Sequence, residues 1–326
     1  MPHRRRVRRA ALAMALVAMG SPAMGEGRVL FAEPFEDTRW SERGWYDAPR
    51  MEVVLADDAP QGRGYCVWHW RSPGDVVPAG GGARVQLPSV TDVGLSFHVR
   101  HDSSWTWTGR GWHPHMFHFV TDADDPYVGP AHTHLTFYVE AVDGVPRLAI
   151  QDGRNIDEDR VGEDLTTVTE ARSVAGCNGD SDGHGEGDCY PTGEHHANGK
   201  YWETQGVWFA SERGPRYMAD WHHIQARFRL NSVVDGTAVR DGLLQYWYDG
   251  ALIVDHHDVV FRTGEHAEAR INQFLMTPYY GPGVPHEQRM WIDDLRIYEG
   301  TPETGTGVGE SPGRPAWGRI KANQAR

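Results

Sequence analysis

The stretch Leu244-Gln245-Tyr246-Trp247-Tyr248-Asp249-Gly250-Ala251-Leu252-Ile253 decides the fold class. Runs rich in Leu, Tyr, Trp and Ile flank Asp249-Gly250. That dipeptide supplies the two positive-φ positions of a type I′ turn, whose twist matches a pair of antiparallel strands. The segment therefore predicts a β-hairpin. Upstream, Ile224, Ala226, Phe228 and Leu230 alternate with Gln225, Arg227 and Arg229. Further back, Leu135, Phe137 and Val139 alternate with His134, Thr136, Tyr138 and Glu140. Alternation of period two is the mark of an antiparallel sheet with one face on a core and one face wet. Other strand-like runs span 29–35, 65–70, 83–87, 93–100, 116–121, 145–151, 251–261, 271–277 and 290–298, and nothing between them sustains a helical period. The chain is read as all-β, an antiparallel sandwich with long loops.

The ends read differently from the middle. Arg4, Arg5, Arg6, Arg8 and Arg9 precede an apolar run from Ala10 to Met19, and Ala23-Met24-Gly25 follow. Basic, apolar and small-residue regions in that order read as a signal peptide over 1–25, which implies a secreted or periplasmic mature chain. No later run is long and apolar enough for a membrane span. Residues 26–299 are expected to form one sandwich domain, with a Gly/Asp-rich insertion around 152–218 and a Gly/Pro-rich tail over 300–326. The full chain carries 32 Lys+Arg against 45 Asp+Glu, a net charge of −13. Taking away the five leading arginines makes the rest more acidic still, which argues against nucleic acid as a partner. A monomer is expected.

Of three cysteines, Cys177 and Cys189 bracket a short polar loop and form the natural disulfide, a closure that stabilises by about 3 kcal/mol. Cys66, in a strand-like run, reads as a buried free thiol.

The C-terminal third brings a family into view. Trp221-His222-His223-Ile224, Asn231, the run from Gly242 to Gly250, Phe261-Arg262-Thr263, Ile271, Phe274 and Met290-Trp291-Ile292-Asp293-Asp294-Leu295 together resemble concanavalin A-like jelly rolls. The chain looks most like the secreted polysaccharide-lyase-like members of that group, and Phe31 to Trp40 is similar to their opening strand. The resemblance covers roughly 28–100 and 218–299. It implies a jelly-roll fold and a polysaccharide partner, with β-elimination of a uronate-containing polymer as the activity, or carbohydrate binding without catalysis on the same fold.

Such a lyase must neutralise a carboxylate, remove the proton beside it and protonate the leaving oxygen. Arg110, or Arg227 and Arg229, can hold the carboxylate, with Gln225 beside them. His118 or His134 can be the base, and Tyr138 the acid. The same histidines can simply decorate a wet face, since the chain has 18 of them. His132 and His134, with His115 or His118, also suit a zinc pair plus a third ligand. Trp105 and Trp107, in a polar run, are expected as exposed platforms for sugar rings. Asp180, Asp182, Glu186 and Asp188 fall in a stretch like the first half of a calcium loop, though Cys189 stands where the bidentate Glu belongs. Glu36 and Asp37 with Asp293 and Asp294 suit a structural Ca2+ if the first and last strands are neighbours.

Overall fold

The computed structural model describes residues 27–47, 49–109, 114–121, 135–152, 201–264 and 267–302. Its strands are β1 (Arg28–Glu33), β2 (Trp45–Tyr46), β3 (Glu52–Leu55), β4 (Gly64–Trp70), β5 (Ala83–Val90), β6 (Asp92–His101), β7 (Pro114–Thr121), β8 (Leu135–Val142) and β9 (Val145–Asp152). They continue as β10 (Tyr201–Glu203), β11 (His222–Arg229), β12 (Val233–Val234), β13 (Thr237–Ala238), β14 (Gly242–Tyr248), β15 (Ala251–Val259), β16 (Ile271–Met276), β17 (Tyr279–Tyr280) and β18 (Gln288–Glu299). Trp40–Arg43 forms a 3-10 turn between β1 and β2.

Two eight-stranded sheets carry the fold. The first runs β15-β14-β11-β6-β18-β4-β3, with β1 also on β18; the second runs β10-β9-β8-β7-β16-β5-β2, with β17 also on β7. Their pairings are antiparallel, and apolar rings from both meet between them. Phe97 of the first sheet packs on Phe117 of the second at 4.6 Å, and Phe228 on Phe137 at 5.1 Å. These rings are fully buried, so the alternation seen in β8 and β11 is the inner face of a two-layer jelly-roll sandwich.

The opening hairpin forms as read. Tyr248 pairs with Ala251, and Asp249 and Gly250 take φ of 48° and 80°. Asp249 does more than turn the chain. Its carboxylate accepts the main-chain N–H of His223 and the Nδ1–H of His222, each at 2.8 Å, and so ties the turn to β11. Asp143-Gly144 makes a second such turn between β8 and β9, where Val142 pairs with Val145.

First and last strands are neighbours: Ala32 pairs with Arg296 and Glu33 with Leu295. Glu33 is buried, and its carboxylate accepts from Phe35 N (2.9 Å), Arg43 Nε (2.6 Å) and Trp45 Nε1 (2.8 Å). Cys66 is a buried free thiol in β4. Within the expected insertion, Tyr201–Glu203 pairs with β9 and adds an edge strand to the second sheet. Cys177 and Cys189, Asp180, Asp182, Glu186 and Asp188 lie outside the described residues, as do the leader and the tail beyond 302.

Candidate functional site

The second sheet turns Phe117, Phe119, Phe137, Val139, Leu148, Ile150 and Phe274 inward. Period two then sends their neighbours to the outer face. Register brings those neighbours together: His115 faces Glu140 and His118 faces Tyr138 across β7 and β8, while Glu140 faces Arg147 across β8 and β9. On the other side of β7, His118 faces Leu275 of β16, and Gln273 lies two residues further along. A bulge between His115 and Phe117 keeps both histidines on this outer face.

The rings are in contact. His115 lies nearly parallel on Tyr138, centroids 4.3 Å apart and planes at 22°. His118 meets Tyr138 edge-on at 4.8 Å and His115 at 5.3 Å. Glu140 is 1% exposed and fully engaged. One oxygen takes the Nδ1–H of His115; the other takes Nε (2.8 Å) and Nη2 (2.6 Å) of Arg147. Arg147 also stacks over the Tyr201 ring at 4.9 Å, which gives the edge strand β10 a part in the cluster.

Charge follows from these contacts. Burial opposes ionisation of Glu140, but Arg147 and then His115 more than offset it and hold the carboxyl down at about 2. His118 goes the other way. Burial first, then the nearby His115, pushes it well below the usual imidazole range, against a smaller opposing pull from Glu140. Its Nδ1 meets Thr277 Oγ1 at 3.1 Å, and its buried Nε2 has no partner among the described residues.

Of the residues read from the sequence, the structure thus joins His118 and Tyr138. It places Gln225, Arg227 and Arg229 on β11 of the first sheet, across the core from them. There Arg227 is committed to Asp92, with Nε and Nη2 at 2.9 and 2.6 Å from its two oxygens, and Arg229 donates to the Asp241 carbonyl at 3.0 Å. One groove cannot use both sets. Arg110, His132 and His134 lie outside the described residues.

Trp105 and Trp107 depart from their expected exposure. Trp105 is only 4% exposed, wedged against Trp70 (5.5 Å) and Tyr280 (5.6 Å), and Trp107 packs on Trp105 and on His101. The polar neighbours in sequence turn outward while the Trp105 indole fills the end of the sandwich and offers no flat face for a sugar; Trp107 is partly buried against it. Glu36 accepts the Arg63 N–H at 2.7 Å, and Asp294 takes Arg296 Nε at 3.0 Å. Among the described residues no group of three or more His, Cys, Asp or Glu is arranged to hold a metal ion.

Glu140, Arg147 and Gln273 were not picked out as site residues, although the sequence carried a signal for two of them. Glu140 stands on the polar side of the 134–140 alternation with Tyr138, and the Asp143-Gly144 turn sets Arg147 opposite it. Gln273 follows only once β16 is known to lie beside β7.

The molecule is therefore an all-β jelly-roll sandwich with a polar cluster of His, Tyr, Glu and Arg on the outer face of one sheet. No family model matches the chain, and no curated protein matches it. Among solved structures it is similar to the alginate lyase Aly36B in complex with alginate tetrasaccharide (TM-score 0.48, 12% identity, 85% of this chain and 99% of that one). It is also similar to the alginate lyase vAL-1 from Chlorella virus (0.46, 12%, 78% and 91%) and to the marine PL-14 alginate lyase from Aplysia kurodai (0.44, 13%, 78% and 90%). A botulinum neurotoxin type G receptor binding domain is another such structure (0.44, 9%, 86% and 49%).

Proposed function

We propose that this is an exported polysaccharide-binding protein whose ligand lies on the outer face of the second sheet, and that it cleaves a uronate-containing polymer there by β-elimination. The observation that carries the reading is the contact of a phenol with two imidazoles, Tyr138 with His115 and His118, on adjacent strands. In the reaction a base takes the proton from the carbon beside the uronate carboxylate, the bond to the leaving oxygen breaks, and a carbon–carbon double bond forms. The leaving oxygen collects a proton. An imidazole suits the first transfer and the Tyr138 hydroxyl the second. Gln273 stands on the same face, two residues along β16 from the partner of His118, whereas Arg227 and Arg229 stand on the other sheet.

The test is to incubate the mature protein with alginate, glucuronan, pectate and glycosaminoglycans and to follow the ultraviolet absorbance of an unsaturated uronate. Product from any of them that disappears in Tyr138→Phe supports the reading. Retention on an affinity gel with no product from any polymer overturns the lyase and leaves a non-catalytic binding module. New reducing ends without unsaturation would mean hydrolysis instead.

A further inference from the structure

Two imidazoles touch Tyr138, and they are not equivalent. We propose that Glu140 is a positioning residue that acts through His115: it fixes the Nδ1–H tautomer, aligns the ring on Tyr138 and leaves Nε2 as the basic nitrogen, so that His115 rather than His118 takes the proton. The proton transfer rests on the lyase reading, and the tautomer and alignment rest on geometry.

The geometry begins with a row. His115, Glu140 and Arg147 stand opposite one another across β7, β8 and β9, so the backbone register alone delivers them to one place. The Arg147 fork claims one oxygen of Glu140 with two N–H groups. The other oxygen is left to the imidazole, and an ionised carboxylate only accepts. His115 must therefore present Nδ1–H to it, and its second nitrogen is the one able to receive a proton. Arg147 is in turn pinned by the ring of Tyr201. Held on that side by Glu140 and lying at 22° to the phenol, His115 has little freedom to rotate.

His118 touches Tyr138 only edge-on. Its Nδ1 meets the Thr277 hydroxyl, and among the described residues no carboxylate bonds to its ring. A base that keeps a proton between two steps gains from a counter-charge at its back. Glu140 supplies one to His115, and its low proton affinity means that it stays ionised as the imidazole cycles. The competing view is that Glu140 merely staples three strands together.

Glu140→Gln separates the two views. A glutamine has one oxygen, which the charged Arg147 fork will hold, and its NH2 then faces His115 Nδ1. That reverses the imidazole tautomer. Imidazole nitrogen NMR should show His115 of the natural protein protonated at Nδ1, and E140Q protonated at Nε2. On the polymer that the natural protein cleaves, kcat of E140Q should fall about 100-fold or more with KM within about twofold. His118→Gln should lower activity less than His115→Gln does. A pure staple predicts the opposite split: lower thermal stability with kcat unchanged in the folded fraction. An Nε2–H tautomer in the natural protein overturns the proposal, with no need for any variant to fold. If the natural protein cleaves no uronate polymer, the lyase reading falls, and the tautomer measurement still decides whether Glu140 sets His115.

Discussion

Replacing His101 by Phe should make the protein more resistant to acid, and the size of the effect follows from where the ring sits. His101 is fully buried at the end of β6, boxed by Trp105 (5.0 Å), Phe209 (5.1 Å) and Trp107 (5.2 Å), and neither ring nitrogen has a hydrogen-bond partner among the described residues. Burial, with some help from the nearby His222, lowers it from 6.5 to about 3. The folded state thus refuses a proton that the unfolded chain accepts as soon as pH falls below 6.5. Stability tied to this group is fully present above that value and is lost on the way down to the folded value. Each pH step is worth about 1.4 kcal/mol, so by about pH 5 the cost is about 2 kcal/mol, against a total stability of roughly 5–15 kcal/mol.

His101 does not act alone. His98 is also lowered to about 3, by burial first and then by His223 stacked on it at 4.7 Å, and Asp249 opposes the shift while Arg296 adds to it. Asp293 works in the other direction. Burial raises its carboxyl to about 7 despite hydrogen bonds from the Gln61 and Asp294 N–H groups, so the folded state takes up a proton before the unfolded one does. That returns about 2 kcal/mol between about pH 7 and pH 5 and partly hides the histidines in the natural protein. The comparison must therefore be made between proteins. Urea midpoints at the two pH values should show the gap between H101F and the natural protein moving about 2 kcal/mol in favour of the variant on acidification. A gap that stays constant within about 0.5 kcal/mol would mean that His101 is already charged or solvated in the folded state, and the reasoning from burial would fail.

Asp293→Asn should show the reverse, gaining on the natural protein by about 2 kcal/mol as pH rises from about 5 to about 7; no such gain in urea midpoints would contradict a buried proton on Asp293. Gly250→Ala meets no atom within 4 Å but must hold φ near 80°, so it should cost about 1 kcal/mol by denaturant titration, and a neutral result would refute the turn geometry. Glu33→Ala takes one of two carboxylates from Arg43, which keeps Asp37, and removes the acceptor of Trp45 Nε1 and of the Phe35 N–H, so it should cost about 2–4 kcal/mol; a loss under about 1 kcal/mol would show that water replaces the carboxylate. Cys66, fully buried with its thiol pushed up by burial, should be alkylated only after unfolding, as mapped on its peptide by mass spectrometry; labelling of the native protein at a comparable rate would contradict the packing.

Local chemistry made the fold legible. Asp249-Gly250 announced its hairpin because a type I′ turn needs two residues that tolerate positive φ, and the alternation in 135–139 and 224–230 announced inner faces because apolar side chains at period two have only one core to enter. The short strands β2, β3, β10 and β17 were not legible, since two to four residues hold no pattern of their own and pair only because a longer neighbour offers an edge. The site divided along the same line. His118 and Tyr138 sit on strands whose polar sides could be read, but so do Arg227 and Arg229, and alternation says which side of its own strand a residue takes without saying which sheet the strand joins. That assignment comes from long-range pairing. β11 lies between β6 and β14, whereas β7 lies between β8 and β16, so two equally polar outer faces are separated by a full layer of phenylalanines. Trp105 failed for a related reason: its polar neighbours Ser103, Ser104 and Thr106 suggested solvent, yet the end of a sandwich needs a plug, and a large indole is what the chain had to place there. A polar face read from one strand is thus a property of that strand, and becomes a site only where register sets it against a second strand with matching chemistry, as Glu140 is set against His115 and Arg147.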